Sequence, residues 1–177
     1  RESAEPARMK ILQLITQNQL RGAEVFAAQL SDTLAARGHE VVLASLLGGD
    51  QVLSTAPGVR QVTLGRPDRG WGPVNLRTWR SLRRLLQGFD PDVVQANGSE
   101  TLKYAALLRL TKRSLPAIYR NISVMSMWSA SRVKRLVVGA ALRRMSHVAS
   151  VTKVGKADLV TRFGVRPDRV SVLPIGV

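Results

Sequence analysis

The sequence predicts an α/β fold in which a parallel sheet of about seven strands is covered by helices on both faces. Apolar runs of strand length alternate with longer segments of helical period, a pattern typical of doubly wound sheets. Glycines follow several of the helical segments, as expected where a chain leaves a helix. At 177 residues the chain has the length of one domain.

Seven buried strands are predicted from short apolar runs set between turn residues. In chain order they are residues 10–15, 41–46, 59–64, 93–96, 116–119, 147–151 and 170–173. Parallel neighbours in a sheet need crossover connections, and six crossovers join these seven strands. The predicted architecture is therefore Rossmann-like, a doubly wound sheet in one domain.

Five helices are predicted in the connections from their period and their end signals. In chain order they are residues 21–37, 74–87, 99–110, 130–144 and 154–163. The first has its apolar positions in one stripe, and Gly38 stands where a left-handed cap would end it. Gly88 is expected to stop the second helix, and Gly164 to cap the fifth. Residues 65–73 and 122–129 are expected to be loops.

Basic side chains are concentrated in the second half of the chain. The formal net charge is +15, and residues 101–157 contain twelve Lys or Arg residues and no Asp or Glu. Such a surface attracts phosphates on a nucleotide, a phosphorylated acceptor, an anionic lipid surface or nucleic acid. A solvated, arginine-rich surface from a compositionally biased genome is the alternative explanation.

Several classes of protein are disfavoured by what the sequence lacks. Without cysteine there is no disulfide framework or thiolate metal site, and a cytoplasmic location is the expectation. No apolar stretch approaches the roughly 20 residues that span a bilayer, and the polar residues 1–8 are expected to be a flexible leader or a vector-derived remnant. The glycines of a dinucleotide fingerprint, a Walker-type Gly-Lys-Ser and a metal-binding cluster are absent, which disfavours NAD, ATP and metal cofactors.

The loop after the first strand contains the first candidate site. Ligands of open α/β sheets bind beyond the carboxyl ends of the strands, which makes these loops the places to search. Arg21, Gly22 and Ala23 open a helix there, and the unpaired amides and dipole of a helix start attract an anion. A tight turn at Gly22 is the alternative explanation.

The loop after the fourth strand contains the second candidate site. Asn97, Gly98, Ser99 and Glu100 follow that strand, and Lys103 lies one turn into the next helix. Asn97 and Glu100 are candidates for hydrogen bonds to sugar hydroxyls. Capping of the helix by Asn97 or Ser99, with Glu100 favouring the helix dipole, is the alternative.

Arg120 and Asn121 end the fifth strand and form the third candidate site. A guanidinium at the edge of a buried strand has few structural explanations and suits an anionic or hydroxylated ligand. The two histidines of the chain have no partners at metal-site or catalytic-triad spacing, so they are assigned no chemistry.

Short motifs occur in four groups along the chain. They are residues 10–12 and 21–24 (KIL, RGAE), 34–41 (LAARGHEV), 90–98 (DPDVVQANG), and the tail segments 150–152, 157–159, 163–165, 167–170 and 173–177 (SVT, ADL, FGV, PDRV, LPIGV). In this order and spacing they resemble the N-terminal domain of family-four, retaining glycosyltransferases of the GT-B fold. The resemblance covers residues 9–177.

The resemblance implies half of a two-domain enzyme that transfers a sugar from a nucleotide-sugar donor to an acceptor with retention at the anomeric carbon. Residues 9–177 would form the acceptor-side, Rossmann-like domain. The C-terminal nucleotide-sugar domain of the family is absent from the sequence, so this chain alone is expected to be inactive. The resemblance implies no metal cofactor.

The resemblance also implies roles for individual residues. The family's glycine after the first strand lies near the donor diphosphate, which carries over to Gly22 and less firmly to Arg21 and Ala23. The ends of the two middle strands imply acceptor or sugar contacts. The residues there are Asn97, Gly98, Arg120 and Asn121. Many members have a histidine near these strand ends, where this chain has Arg120.

The basic amphipathic segments at residues 77–84 and 132–144 indicate a candidate membrane partner. Relatives that glycosylate lipid-linked acceptors dock on anionic bilayers with such surfaces, so an anionic membrane surface is considered beside a sugar or phosphorylated acceptor. The competing explanation is that any sheet-covering helix needs such an apolar stripe.

Nucleic acid is not expected, because aromatic residues are scarce and no recognition motif is present. A stand-alone basic nucleotide- or nucleic-acid-binding module is the alternative function.

Overall fold

The computed structural model describes residues 7–49, 53–66, 74–129 and 131–174. Seven strands in these ranges pair in parallel in one sheet: β1 Lys10–Gln17, β2 Glu40–Leu47, β3 Val59–Thr63, β4 Val93–Asn97, β5 Ala117–Asn121, β6 His147–Ser150 and β7 Val170–Val172. The α-helices in the same ranges are α1 Gly22–Ala36, α2 Leu76–Phe89, α3 Ser99–Thr111, α4 Met125–Trp128, α5 Arg132–Arg144 and α6 Lys153–Phe163. The predicted fold class is confirmed.

The strand order places the start of the chain in the middle of the sheet. The order is β3-β2-β1-β4-β5-β6-β7, so β1 pairs with β2 on one side and with β4 on the other. The chain builds outwards from β1 to β3, returns through α2 to β4, and then builds outwards in the opposite direction. The carboxyl ends of β1 and β4 therefore form the topological switch point of the fold.

Helices pack on both faces of the sheet because successive side chains of β1 point to opposite sides. Ile11 and Ile15 pack with Ala27 of α1 on the first face. Leu12 and Leu14 pack on the second face in a cluster that includes residues of α2 and α3. Residues of α3, α5 and α6 complete the core over β5 and β6. The described part of the core on the first face takes its helical residues from α1 alone.

Glycine ends two helices as predicted and fails to end a third. Gly38 and Gly164 have φ of 86° and 64°, the left-handed conformation that closes α1 and α6. The prediction for Gly88 is wrong, because α2 continues through Phe89 and ends at Asp90, whose φ is 46°. The Phe89 ring is buried in the core, which favours the extra helical residues.

One further prediction is corrected in the loops. Residues 122–129 are not all loop, because α4 forms within them, with Met125 buried and the Ser126 amide donating to Asp158 Oδ2 at 3.0 Å. No helix lies in the described residues between β2 and β3, although a crossover joins these parallel strands. The predictions for residues 1–6, Ala130, 175–177 and most of the loop 65–73 fall outside the described ranges.

Gly88→Ala tests the corrected end of α2. A Cβ at Gly88 meets no atom within 4 Å, so alanine fits without strain. We expect the free energy of unfolding to rise by about 0.5–1 kcal/mol, because alanine loses less backbone entropy in a helix. Urea denaturation measures the change. Gly38→Ala is the matched control, since it also has open space but a φ of 86° and should destabilise the chain. Destabilisation by Gly88→Ala would contradict a helical conformation at this residue.

Candidate functional site

A cavity of about 730 Å³ opens at the carboxyl ends of β1, β4 and β5. It lies at the switch point of the sheet, where ligands of doubly wound folds bind. Its lining comes from the ends of strands, the start of α1 and the start of α3: Thr16, Gln17, Gln19, Arg21, Gly22, Ala23, Glu24, Val25, Phe26, Gln29, Leu47, Gly98, Ser99, Glu100, Arg120 and Ile122. Six of the nine predicted site residues line the cavity, whereas Asn97, Lys103 and Asn121 do not.

The first turn of α1 borders the cavity through Arg21, Gly22 and Ala23. Arg21 is the N-cap and makes no side-chain capping bond. A helix start leaves its first amides without partners inside the helix, and the dipole adds a partial positive charge. Gly22 has no positive φ, and a Cβ built there meets nothing within 4 Å, so the fold does not demand glycine for a tight turn. The structure therefore leaves room for a ligand to approach this backbone closely.

Glu24 brings a buried carboxyl group into the same wall of the cavity. It is 4% exposed and accepts a hydrogen bond from Gln19 Nε2 at 3.2 Å, while Gln19 Oε1 accepts from Gln17 Nε2 at 2.6 Å. Burial raises the pKa of Glu24, and the bond from Gln19 and the charge of Arg21 offset part of that rise. The Glu24 carboxyl group is therefore protonated more readily here than in water, and in its protonated form it can donate a hydrogen bond.

Asn97 is fully buried, and both polar atoms of its side-chain amide form hydrogen bonds within the fold. Its Nδ2 donates to Gln13 Oε1 at 2.9 Å and to the Leu14 carbonyl at 3.2 Å, while its Oδ1 accepts from Gln95 Nε2 at 3.0 Å. These bonds tie the end of β4 to β1. The structure thus gives Asn97 a positioning role beneath the cavity and no free group for a sugar hydroxyl.

The start of α3 contradicts the capping proposed for Asn97 or Ser99, while Glu100 does lie in the first turn of the helix. Gly98 is the N-cap, with φ 94° and ψ 162°, so neither Asn97 nor Ser99 caps the helix. Thr101 Oγ1 donates to the Gly98 carbonyl at 2.7 Å. A side chain at residue 98 would be strained at this φ, which explains the glycine beside the cavity.

Glu100 and Lys103 act as a pair at the edge of the cavity. Lys103 Nζ lies 2.6 Å from Glu100 Oε2, and only Glu100 belongs to the lining. An ion pair at this spacing along a helix contributes a few tenths of a kcal/mol at most. Its effect is to orient the Glu100 carboxylate, which keeps a second oxygen for other partners.

Arg120 is the least satisfied charged group of the cavity. Only 5% of the residue is exposed, and Nη1 is buried with no hydrogen-bond partner in the described ranges. The guanidinium lies over the Phe26 ring, with Cζ 3.6 Å from the ring centroid. Burial lowers the pKa of Arg120, because desolvation penalises the charged form. Arginine nevertheless remains charged at neutral pH, so the cavity holds a positive charge without a carboxylate partner among the described residues.

The structure separates Asn121 from Arg120. Neighbouring residues of a strand point to opposite faces, so Arg120 meets Phe26 of α1 while Asn121 lies beside α6. Both polar atoms of the Asn121 amide are buried without partners in the described ranges. A Cβ built on Gly155 would lie 2.6 Å from Ser150 Oγ and 3.2 Å from Asn121 Nδ2, which explains a glycine in the first turn of α6. The expectation that these neighbours share one site is not supported.

Several residues of the cavity escaped the sequence analysis. Gly22, Phe26 and Gln29 lie on one face of α1 at helical spacing, and all three line the cavity. That spacing was the available signal for Phe26. An aromatic side chain in an amphipathic helix is nevertheless ordinarily a core residue, and its contact with Arg120 spans 94 positions of sequence. No group of three or more metal-ligating His, Cys, Asp or Glu side chains occurs in the described ranges.

Glu24→Gln should stabilise the chain at neutral pH but not in acid. Because the pKa is raised, the folded chain keeps a proton that the unfolded chain releases, so stability falls as the pH rises from about 4.5 to the raised pKa. Glutamine is neutral throughout and avoids this loss. Thermal unfolding of both proteins across this pH range measures the difference. Glu40→Gln controls for the loss of one negative charge, and a constant offset between Glu24→Gln and the parent at all pH values would contradict the prediction.

Comparison with solved structures finds the same fold in several proteins of low sequence identity. HepE of Anabaena, described in complex with UDP and glucose, superimposes with a TM-score of 0.68 at 17% identity over 96% of this chain. Sucrose-phosphate synthase of Thermosynechococcus elongatus gives 0.68 at 15% identity, and the lipopolysaccharide outer core galactosyltransferase WaaB gives 0.67 at 13%, each over 96% of this chain. The chain spans 45%, 49% and 46% of these three proteins.

Comparison by sequence identifies the family. A search of curated protein sequences finds no significant match. The family model described as Glycosyltransferase Family 4 matches residues 20–177, which include the starts of α1 and α3 and the end of β5 at the cavity. A match over most of the chain, together with a doubly wound sheet shared with GT-B glycosyltransferases, settles the assignment: the chain belongs to Glycosyltransferase Family 4.

Proposed function

We propose that this chain is the acceptor-side half of an enzyme that transfers a sugar from a nucleotide-sugar donor to an acceptor with retention of configuration. The observation that carries the proposal is the open cavity at the switch point of the sheet, between the start of α1 and Arg120. Family membership supports glycosyl transfer as the reaction. The chain spans less than half of the enzymes it resembles, so the remaining half would supply the other wall of the reaction site.

The start of α1 is the proposed contact for the donor diphosphate. The first amides of the helix and the open space at Gly22 suit an anionic group that approaches the backbone. UDP is bound by HepE, which shares the fold at 17% identity. A diphosphate held by the amides of Gly22 and Ala23 and by the charge of Arg21 would need no metal ion in this half. Most of the nucleotide affinity would come from the absent half.

The acceptor is proposed to enter the cavity from the side of α3 and β5. Gly98 allows close approach there, and the Glu100 carboxylate is oriented by Lys103 to accept hydrogen bonds from hydroxyl groups. Asn97 would act as a positioning residue, since its bonds to β1 fix the strand end that carries Gly98. Neither Lys103 nor Asn121 is proposed to touch the substrate.

A titration of the 15N-labelled chain followed by NMR tests the assignment of the donor to the start of α1 and of the acceptor to the side of α3 and β5. We expect UDP to shift the amides of Gly22 and Ala23 without saturating below about millimolar concentration, since a few backbone contacts give little affinity. Sugars that serve as acceptors should shift Gly98 and Glu100. Gly22→Val, which fills the open space at the helix start, should remove the response to UDP and keep the response to sugars. Tight, saturable nucleotide binding without a sugar response would favour a self-sufficient nucleotide-binding module instead.

The first half of α5 is the proposed docking surface for an anionic membrane. Val133, Leu136 and Val137 are 71%, 70% and 62% exposed, so they do not serve as the sheet-covering stripe of this helix. A groove between α5 and α6 beside them is lined by four arginines, Arg132, Arg135, Arg143 and Arg162. The corresponding stripe of α2 is different, because Leu82 and Leu86 are buried in the core. No helix in the described ranges is long and apolar enough to cross a bilayer.

Co-sedimentation with vesicles tests this surface. We expect the chain to bind vesicles of phosphatidylcholine that contain phosphatidylglycerol and not pure phosphatidylcholine, because each basic residue near an anionic surface contributes about 1 kcal/mol. Added salt should release the chain. Leu136→Ser should lower the bound fraction severalfold, whereas Leu110→Ser, at a residue of α3 that is 50% exposed, should not. Equal binding to both kinds of vesicle, or equal losses in the two variants, would contradict the proposal.

A further inference from the structure

Arg120 differs from the arginines that this fold uses for structure. Arg109 donates through Nε to the Arg144 carbonyl at 3.2 Å and through Nη1 to the Leu115 carbonyl at 2.9 Å. Arg143 donates through Nη1 to the Phe163 carbonyl at 2.8 Å. Arg120 has no such carbonyl within the described ranges, and no carboxylate either. The fold provides partners for other arginines and leaves this one, the most buried of the three, with its charge uncompensated.

An unpaired buried charge destabilises a folded protein, and a stacking contact with one ring offsets only part of that cost. A group retained at such a cost commonly serves function at the expense of stability. Arg120 lines the cavity, so the guanidinium atoms that are not shielded can meet a ligand there. Packing on Phe26 fixes the plane of the guanidinium before the ligand arrives, which lowers the entropy lost on binding.

We propose that Arg120 binds an oxyanion carried by the acceptor, so that the acceptor of this enzyme is an acidic sugar with a phosphate or carboxylate group. This inference rests on the proposed function and specifies the substrate class of the same cavity. The guanidinium presents parallel N–H groups that match two oxygens of a phosphate or carboxylate. A neutral sugar would leave the positive charge uncompensated in the closed site.

The other charges of the cavity are consistent with an anionic ligand at Arg120. Glu100 is paired with Lys103, and Glu24 accepts a hydrogen bond from Gln19, so neither carboxyl group forms an ion pair with the Arg120 guanidinium. Arg21 and the start of α1 add positive potential to the same cavity lining. Residues 101–157, which include β5 and α5, contain no Asp or Glu that competes for Arg120.

The donor diphosphate is the other anion that such a cavity meets. A diphosphate at the amides of Gly22 is held by the backbone of α1, while the Arg120 guanidinium, carried by β5, stacks on Phe26 one turn further along α1. The proposal assigns Arg120 to the acceptor because the start of α1 already provides donors for the diphosphate. A test must compare an acidic sugar, a neutral sugar and UDP in the same protein.

The experiment uses this chain and its variants Arg120→Met and Arg120→Lys, with Arg109→Met as the control for loss of a structural arginine. Thermal unfolding and 15N NMR are recorded with glucose 6-phosphate, glucuronate, glucose and UDP at constant ionic strength. We expect glucose 6-phosphate or glucuronate to raise the melting temperature and to shift Phe26 and Gly98. Arg120→Met should weaken this binding by about tenfold or more, as expected for a lost charged hydrogen bond. Arg120→Lys should retain part of it.

The stability of the ligand-free variants provides a second readout, which does not depend on the choice of sugar. Arg120→Met should unfold at the same or a higher temperature than the parent, because it removes an uncompensated charge and keeps an apolar contact with Phe26. Arg109→Met should unfold at a lower temperature, since it leaves three backbone carbonyls without this donor, and should leave the response to acidic sugars unchanged. A strong loss of stability in Arg120→Met would show that Arg120 is structural and would overturn the inference.

The remaining outcomes separate this inference from the proposed function. Equal binding of glucose and glucose 6-phosphate, or equal binding of the acidic sugars by the parent and Arg120→Met, overturns the acidic acceptor and leaves the acceptor cavity intact. Loss of the UDP response alone in Arg120→Met overturns the assignment by placing Arg120 on the donor. If no sugar shifts any residue of the cavity while UDP binds tightly, the proposed function itself fails.

Discussion

The structure depends on the double pairing of β1, which is hydrogen-bonded in parallel to β2 and to β4. A strand in this position is covered on both faces, and Leu12, Leu14 and Ile15 are accordingly fully buried. The reversal of strand order beside it forces α1 and α3 to leave the sheet on opposite faces, and the space between their first turns becomes the cavity. Buried amides hold this point together, because Asn97 bonds to both Gln13 and the Leu14 carbonyl. The position of the cavity thus follows from the strand order, and its side chains add the chemistry.

The sequence predicts this topology well because apolar period is a local signal. The seven strands and the helical crossovers were recognisable from runs of a few residues, and Gly38 and Gly164 mark helix ends by a conformation that other residues rarely adopt. The predicted helix end at Gly88 was wrong because Gly88 has an ordinary helical conformation and because the burial of Phe89 favours a helix that continues beyond it. A glycine terminates a helix only where the chain also needs to turn away from its core contacts.

The site was predicted less completely because its residues are defined by the faces of strands and by distant contacts. Arg120 and Asn121 are adjacent in sequence, yet the alternation of the strand puts one in the cavity and the other beside α6. Period-2 reasoning applied to the last residues of β5 would have separated them. The contact of Phe26 with Arg120 and the bond of Asn97 to Gln13 had no comparable signal, since they join segments 94 and 84 residues apart. The exposed stripe of α5 and the buried stripe of α2 likewise have the same pattern, and only packing distinguishes them.

Arg120 and Glu24 are oppositely charged, buried and part of one cavity lining, yet they do not pair with each other. An ion pair would have been the less costly solution, since each group would compensate the desolvation of the other. The fold instead holds the guanidinium over Phe26 and the carboxyl group beside Gln19. Keeping them apart preserves, in one cavity lining, a cation without a carboxylate partner and, because burial raises the pKa of Glu24, a carboxyl group that is protonated more readily than in water. The acidic acceptor proposed above, which carries an anionic group and hydroxyl oxygens, would engage both groups at once.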